Sequence, residues 1–462
     1  MATKQRHSEP LAPVGDNEAS KRLTTDAKES DEPATQKTGF FAKILLLFAT
    51  ILPPGSVAGS AFNLASTTIG AGIFGLPAAA NSSGLVVAIL YLLLVFGLSV
   101  FSIYILAVAA DRSRVYSYEG VARALLGRCA SRILAGIRVF LGFSGCVAYV
   151  ISVHDIVGSI TRNSNASDFV KGLSGSRLIT LAIWFFIMLP LVIPRNIDTL
   201  RYVSTFAVLF MVYVVFLVVV HSCTHGLKEN VKNVSVTRDE NAAVVLFNDG
   251  NRAIEGLGVF VFAFICQVTA YEIYFDMVDR SVYKMTLSAI IGLGLCCILY
   301  ILTCVFGYLD FGSGATGSIL RLYNPIDQSE VMVGYVGVFL KLCSSYALLC
   351  MACRNALYCI LGWDTVALKF WKHCIVVISI AVLSLTAGLF IPKINVVFGF
   401  AGSIAGGAVG FIFPSLFLMY AGGFTWGKIS TIQYLGAYAL LIIGVVVVVF
   451  GTTTTIWSAA TG

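Results

Sequence analysis

The stretch Ile69-Gly70-Ala71-Gly72-Ile73-Phe74-Gly75-Leu76-Pro77 decides how this chain folds. It sets glycines and then a proline inside a run otherwise apolar enough to cross a membrane. Glycine lowers helix stability by roughly 1 kcal/mol relative to alanine, and an internal proline removes a backbone hydrogen bond. In hydrocarbon the released N–H and C=O groups find no water. A break there survives only where it faces protein or lines a polar cavity. Backbone groups exposed at mid-membrane suit the binding of a charged solute.

Outward from the break, the amides of Gly70, Ala71, Gly72 and Ile73 can meet a carboxylate, helped by the positive end of the half-helix that follows. Asn63, Ser66, Thr67 and Thr68 precede it and offer oxygens to an ion or an amino group. Close helix packing through small residues would explain the glycines. It would not explain Pro77 and the polar cluster together.

The whole chain agrees with a membrane setting. Of 462 residues, 58% are hydrophobic and 12% charged, and mean hydropathy is +0.87; a soluble domain carries about 25% charged residues. Most cysteines sit in apolar runs, including Cys266, Cys296, Cys297, Cys304, Cys343, Cys350 and Cys353, where they act as small hydrophobes. No paired CxxC suggests zinc, and no cofactor is expected. The net charge of +7 is spread over loops and a tail, which argues against nucleic acid as a partner. Residues 1–38 are polar and mixed in charge, so they read as a disordered cytosolic tail ahead of a membrane domain over 39–462.

Eleven helical spans are expected: 57–80, 84–110, 133–160, 176–194, 199–221, 256–278, 284–309, 330–361, 373–391, 395–420 and 430–455. With the tail inside, inner loops carry Arg112, Arg114, Arg123, Arg128 and Arg132, then Arg195 and Arg201, Arg280 and Lys284, Lys369 and Lys372, and Lys428. Short outer loops hold mainly Arg162, Lys171, Arg321 and Lys393. That is the positive-inside bias, with the N-terminus cytosolic and the C-terminus external. The sequons at Asn165 and Asn233 then fall outside as glycosylation candidates. From the second span on, spans one to five recur in spans six to ten at an interval of about 197 residues. Five spans per unit invert the second copy. The fold expected is therefore an all-α integral membrane protein with a 5+5 inverted repeat over about 57–221 and 256–420, discontinuous first and sixth helices, and an extra helix at 430–455.

The sixth span shows no glycine or proline at a break. Instead Gln267, Thr269, Tyr271 and Glu272 interrupt its apolar run, with Phe264 just before them. An intramembrane carboxylate is costly and by default functional. Glu272 can pair with a cationic substrate, carry a proton, or tie an unwound segment. In the eighth span Lys341 lies deep among apolar residues with Ser344 and Ser345 beside it, placed to occupy a cation position or couple a proton. Arg354 reads as a snorkelling residue. Tyr149 and Phe260 are further pocket candidates, and His154, Asp155 and Asp310 read as interface residues at span ends. The glycine-rich run from Gly399 to Pro414 reads as close helix approach. No nucleophile–base pair or metal cluster stands out, so an enzyme is disfavoured.

The run from Asn63 to Pro77, the segment from Cys266 to Tyr274 and the glycine-rich span ending in Pro414 resemble the amino acid/auxin permease family, closest to its protozoan parasite branch. The resemblance runs from about residue 50 to the end. It implies the bundle-and-scaffold fold of the amino acid–polyamine–cation superfamily and uptake of L-amino acids by alternating access across the plasma membrane, driven by protons or, in some branches, by sodium. The residues read above leave the substrate open between cationic (arginine, lysine, ornithine) and small neutral amino acids. A transporter-like receptor with little net flux is the alternative.

Overall fold

The computed structural model describes residue 53 and residues 55–461, apart from 196–197, 240, 364–367, 392 and 427–428, with backbone alone for 198–206. The tail expected over 1–38 and the inner-loop Lys428 lie outside the described residues.

Among the described residues, ten helices are long and apolar enough to cross a membrane, and a bent pair, Val57–Thr68 with Ala71–Ser83, makes eleven. Helices start at 85, 127, 173, 198 in the first half and at 282, 329, 370, 394 in the second, so the order of lengths and loops repeats. Each half opens with an interrupted span, and Thr431–Thr461 follows as the extra helix. This is the 5+5 inverted repeat with broken first and sixth spans.

Local chemistry sets the element ends. Ser56 caps the first half-helix, accepting from the Gly59 amide at 3.0 Å, and Ser281 caps the seventh span through the Lys284 amide at 3.2 Å. Gly84, at φ +94°, turns the chain between the first and second spans. Pro77 does not break a helix. It sits in the first turn of the second half-helix, where a missing N–H leaves nothing unpaired.

The third span packs along the eighth, and the seventh against the first and second. In the tenth span the glycine-rich run forms a wide π-helical segment, Ala401–Ile412. A Cβ on Gly402 would overlap the Gly258 carbonyl oxygen, so the sixth and tenth spans meet backbone to backbone, the close approach expected of this run. Polar side chains reach two carbonyls of that segment: Tyr118 donates to Val409 O at 2.7 Å and Ser102 to Gly410 O at 2.5 Å.

Candidate functional site

Both interruptions lie at mid-span and face one another through the seventh span. The first half-helix ends at Thr68, with the Ile69 amide still bonded to Ala65 O at 2.9 Å. Ile69 and Gly70 are extended, a 3₁₀ turn runs over Ala71–Gly75, and the axis bends by 50°. The first amides of a 3₁₀ turn have no acceptor within it, so the Gly70, Ala71 and Gly72 N–H groups stand outside both ladders. The sixth span opens over Phe264–Cys266, between Leu257–Ala263 and Gln267–Asp276.

One side chain holds the two gaps together. The Tyr300 hydroxyl lies 2.9 Å from both Thr68 O and Ala263 O, sharing its proton between two orphaned carbonyls. Its ring meets Phe264 edge-on at 5.1 Å. Sequence reasoning missed Tyr300, which reads as one more core aromatic. Around the gap, a Cβ on Gly70 would come within 3.0 Å of the Tyr149 hydroxyl, and one on Gly72 within 3.3 Å of Ala263 Cα. Tyr149 in turn hydrogen-bonds Ser345 of the eighth span.

The polar residues before the break divide in two. Thr67 donates to Asn63 O at 3.1 Å and Leu64 O at 2.9 Å, and Thr68 to Leu64 O at 2.7 Å. Their protons are spent on their own helix, leaving oxygen lone pairs for a donor. The Ser66 carbonyl accepts from Lys341 Nζ at 3.1 Å, and Lys341 is 2% exposed. That ammonium therefore sits at the C-terminal, negative end of the first half-helix. Ser344 bonds back to Leu340 O and Lys341 O, at 2.9 and 3.0 Å.

In the sixth span, Gln267 is buried and turns its oxygen to the Cys266 amide at 3.1 Å. It caps its own half-helix, whereas Thr269 is half-buried and Glu272, one turn on, is exposed. Ile73 and Ala71 are buried with everything from 71 to 80, while Asn63 and Gly70 are half-buried and Thr67 is exposed. The sequon asparagines Asn165 and Asn233 are exposed at the opposite end of the bundle from the 114–126 loop.

A first span that offers backbone amides on one side of its gap and helix-end carbonyls on the other, with a lysine seated on those carbonyls, is an arrangement that can receive an anion at one end and a cation at the other. The family described as transmembrane amino acid transporter protein matches residues 53–457. The chain belongs to that family. The transporter is 26% identical over 373 residues to vacuolar amino acid transporter 5 of Schizosaccharomyces pombe, covering 78% of this chain and 84% of that protein. It is 25% identical over 414 residues to sodium-coupled neutral amino acid symporter 2 of Danio rerio, covering 85% and 81%. Among solved structures, MhsT in complex with L-phenylalanine superposes with a TM-score of 0.59 at 14% identity, over 86% of this chain and 98% of that one, and shares the fold. These relatives are transporters, not enzymes.

Proposed function

We propose that this amino acid transporter is a proton-coupled importer of L-amino acids at the plasma membrane, working by alternating access. The observation that carries the coupling is Lys341 Nζ on Ser66 O at 3.1 Å. Helix-end carbonyls at a break are where such folds bind a coupling ion. Here a side-chain ammonium already supplies the cation, so a proton taken up and released by that amine replaces sodium. The substrate carboxylate meets the Gly70, Ala71 and Gly72 amides, the Ile73 amide being taken up by the 3₁₀ turn, and its amino group meets the lone pairs of Thr67 and Thr68. Its side chain extends along Phe264 and Thr269 toward Glu272. Six residues of helix separate Cys266 from Glu272, about 9 Å, which suits the reach of lysine, arginine or ornithine.

The arginine-rich loop end is cytosolic in this reading, and the end carrying Asn165 and Asn233 is external and glycosylated. Exposure of Thr67 and Glu272 beside buried 71–80 matches a site open to the cytosol. The test is labelled uptake against a panel of twenty amino acids at two pH values, with and without sodium. Accumulation that rises with outside acidity and ignores sodium is expected. Sodium dependence would overturn the coupling, binding without accumulation would indicate a receptor, and residence in an internal acidic compartment would move the site of action. Small neutral amino acids are the second reading, favoured by the name of the zebrafish relative; a panel led by alanine or proline would establish it.

A further inference from the structure

We propose a second proton-binding site, the His221–Asp310 pair, which latches a lid over the broken first span. The lid is the 312–328 connection between the seventh and eighth spans. Its short helix Ile319–Arg321 packs on the third span and on the 3₁₀ turn Ala71–Gly75. It is tied down on every side. Asn81 donates to Ser313 O at 3.1 Å and Ala315 O at 3.2 Å. Ser159 donates to Tyr323 O at 2.7 Å, Tyr335 to Leu320 O at 2.5 Å, and Arg321 pairs with Asp155 at 3.5 Å.

One further tie runs through an imidazole. His221 Nδ1 lies 2.7 Å from Asp310 Oδ2, whose carboxylate also accepts from Tyr323 at 3.3 Å and from the Gly226 amide at 3.3 Å. Burial and the adjacent Asp310 hold the Tyr323 phenol well above its ordinary value, so it stays a donor. On the other face of the ring, Gln328 Nε2 lies 3.2 Å from His221 Nε2, and Gln328 Oε1 is buried without a hydrogen-bond partner. That arrangement fits a neutral imidazole, which donates from Nδ1 and accepts at Nε2. A proton added at Nε2 turns that nitrogen into a donor. Rotating the Gln328 amide then gives it the orphaned Oε1, and the bond to the Asp310 carboxylate becomes an ion pair. The proton thus completes the cluster and favours the closed lid. It comes from lid-side water and returns there on opening, so it alters rate and leaves stoichiometry alone.

His225, stacked on His221 at 4.2 Å, is the rival site, and its charge would oppose one on His221. The lid and the elements packed on it also carry His154, Asp155, Arg162, Arg321, Glu330, Lys228 and Glu229; Asp155, 4% exposed and paired with Arg321, is a second rival for a proton on this face.

The chemistry of the latch stands without the transport reading; its effect on rate rests on it. Full-length protein in detergent is melted at pH 5.5 and pH 8, as wild type, H221Q, H225Q and Q328M. The wild type should gain about 2–4 °C more on acidification than H221Q. H225Q should keep that gain and Q328M should lose part of it, which covers the case where H221Q does not fold. Substrate exchange in proteoliposomes, with equal pH on both sides, should run several-fold faster in H221Q than in wild type at pH 5.5 and equally at pH 8. A melting response in H221Q or Q328M that overlays wild type, or one lost only in H225Q, overturns the site. A changed melting response with unaltered exchange overturns the latch. Wild type that exchanges no amino acid sinks the transport reading and leaves the melting comparison decisive for proton binding.

Discussion

The first and sixth spans occupy equivalent places in the two repeats, yet their gaps are built from different materials. The first bends by 50° over glycine-rich backbone, and its amides stay outside either helix ladder. The sixth runs through its gap as one span, and Gln267 closes it by taking the Cys266 amide at 3.1 Å. One gap leaves donors for a ligand while the other spends a side chain to quiet its own backbone. Equivalent topology therefore comes with unequal chemistry: in the proposed function the first gap receives charge and the sixth span reads the side chain, while Tyr300 of the seventh span braces the two.

The sharpest attempt to break this contrast is to fill the open gap. Gly72→Leu would drive a side chain into Ala263 Cα, which a Cβ alone approaches to 3.3 Å, and backbone cannot swing aside. Uptake should fall more than about 100-fold with the protein still at the surface, whereas Gly70→Ala meets only the Tyr149 hydroxyl end, at 3.0 Å, and should cost several-fold. Near-normal transport by Gly72→Leu would remove the binding role from the first span.

Next in size is Lys341→Met, which takes the ammonium from the Ser66 carbonyl. If the proposed function holds and that amine carries the proton, uptake should drop about tenfold or more and lose its pH dependence, with only the helix-end carbonyls remaining. A retained pH profile would transfer coupling to another group. Tyr300→Phe tests the strut: two buried carbonyls lose their shared donor, an expected cost of about 1–3 kcal/mol in stability together with a slower turnover. Unchanged melting would mean the two gaps are held apart by packing alone.

How far the sequence carries the reading follows from the same contrast. The first break is visible because glycine and proline have a conformational signature that survives in one dimension. The sixth is expected from the repeat and from the polar residues interrupting its apolar run, with no glycine or proline to mark it, because Gln267 does the capping. Pro77 was misleading in detail: it starts a half-helix and does not cut one. Lys341 and the span limits were legible from the cost of charge in hydrocarbon and from apolar length. Tyr300 was not, because a tyrosine among leucines and cysteines gives no hint that its hydroxyl bridges residues 68 and 263. The His221–Asp310 cluster was hidden likewise, since its members come from separate loops and span ends.

The sixth gap itself can be opened. Gln267→Met keeps most of the side-chain volume but removes the oxygen that serves the Cys266 amide. The buried N–H is then unpaired, and stability should fall by about 1–3 kcal/mol with little change in the apparent affinity for substrate. A large rise in KM with normal melting would show instead that Gln267 contacts the ligand and that the two gaps are alike.

The smallest effect is expected at Glu272, exposed one turn beyond Thr269 on the half-helix after the sixth gap. If the first gap reads the shared α-carboxylate and the sixth span reads the side chain, Glu272→Gln should leave neutral substrates within about twofold. Cationic ones should lose about 1–2 kcal/mol of binding, roughly ten- to thirtyfold in KM, as for one charge-assisted hydrogen bond. The measurement is paired uptake of lysine and alanine by the same membranes. Equal loss of both would place the carboxylate in the structure of the half-helix or in proton handling. The two gaps would then have to share recognition of the α-groups, with side-chain selection left to the third and eighth spans.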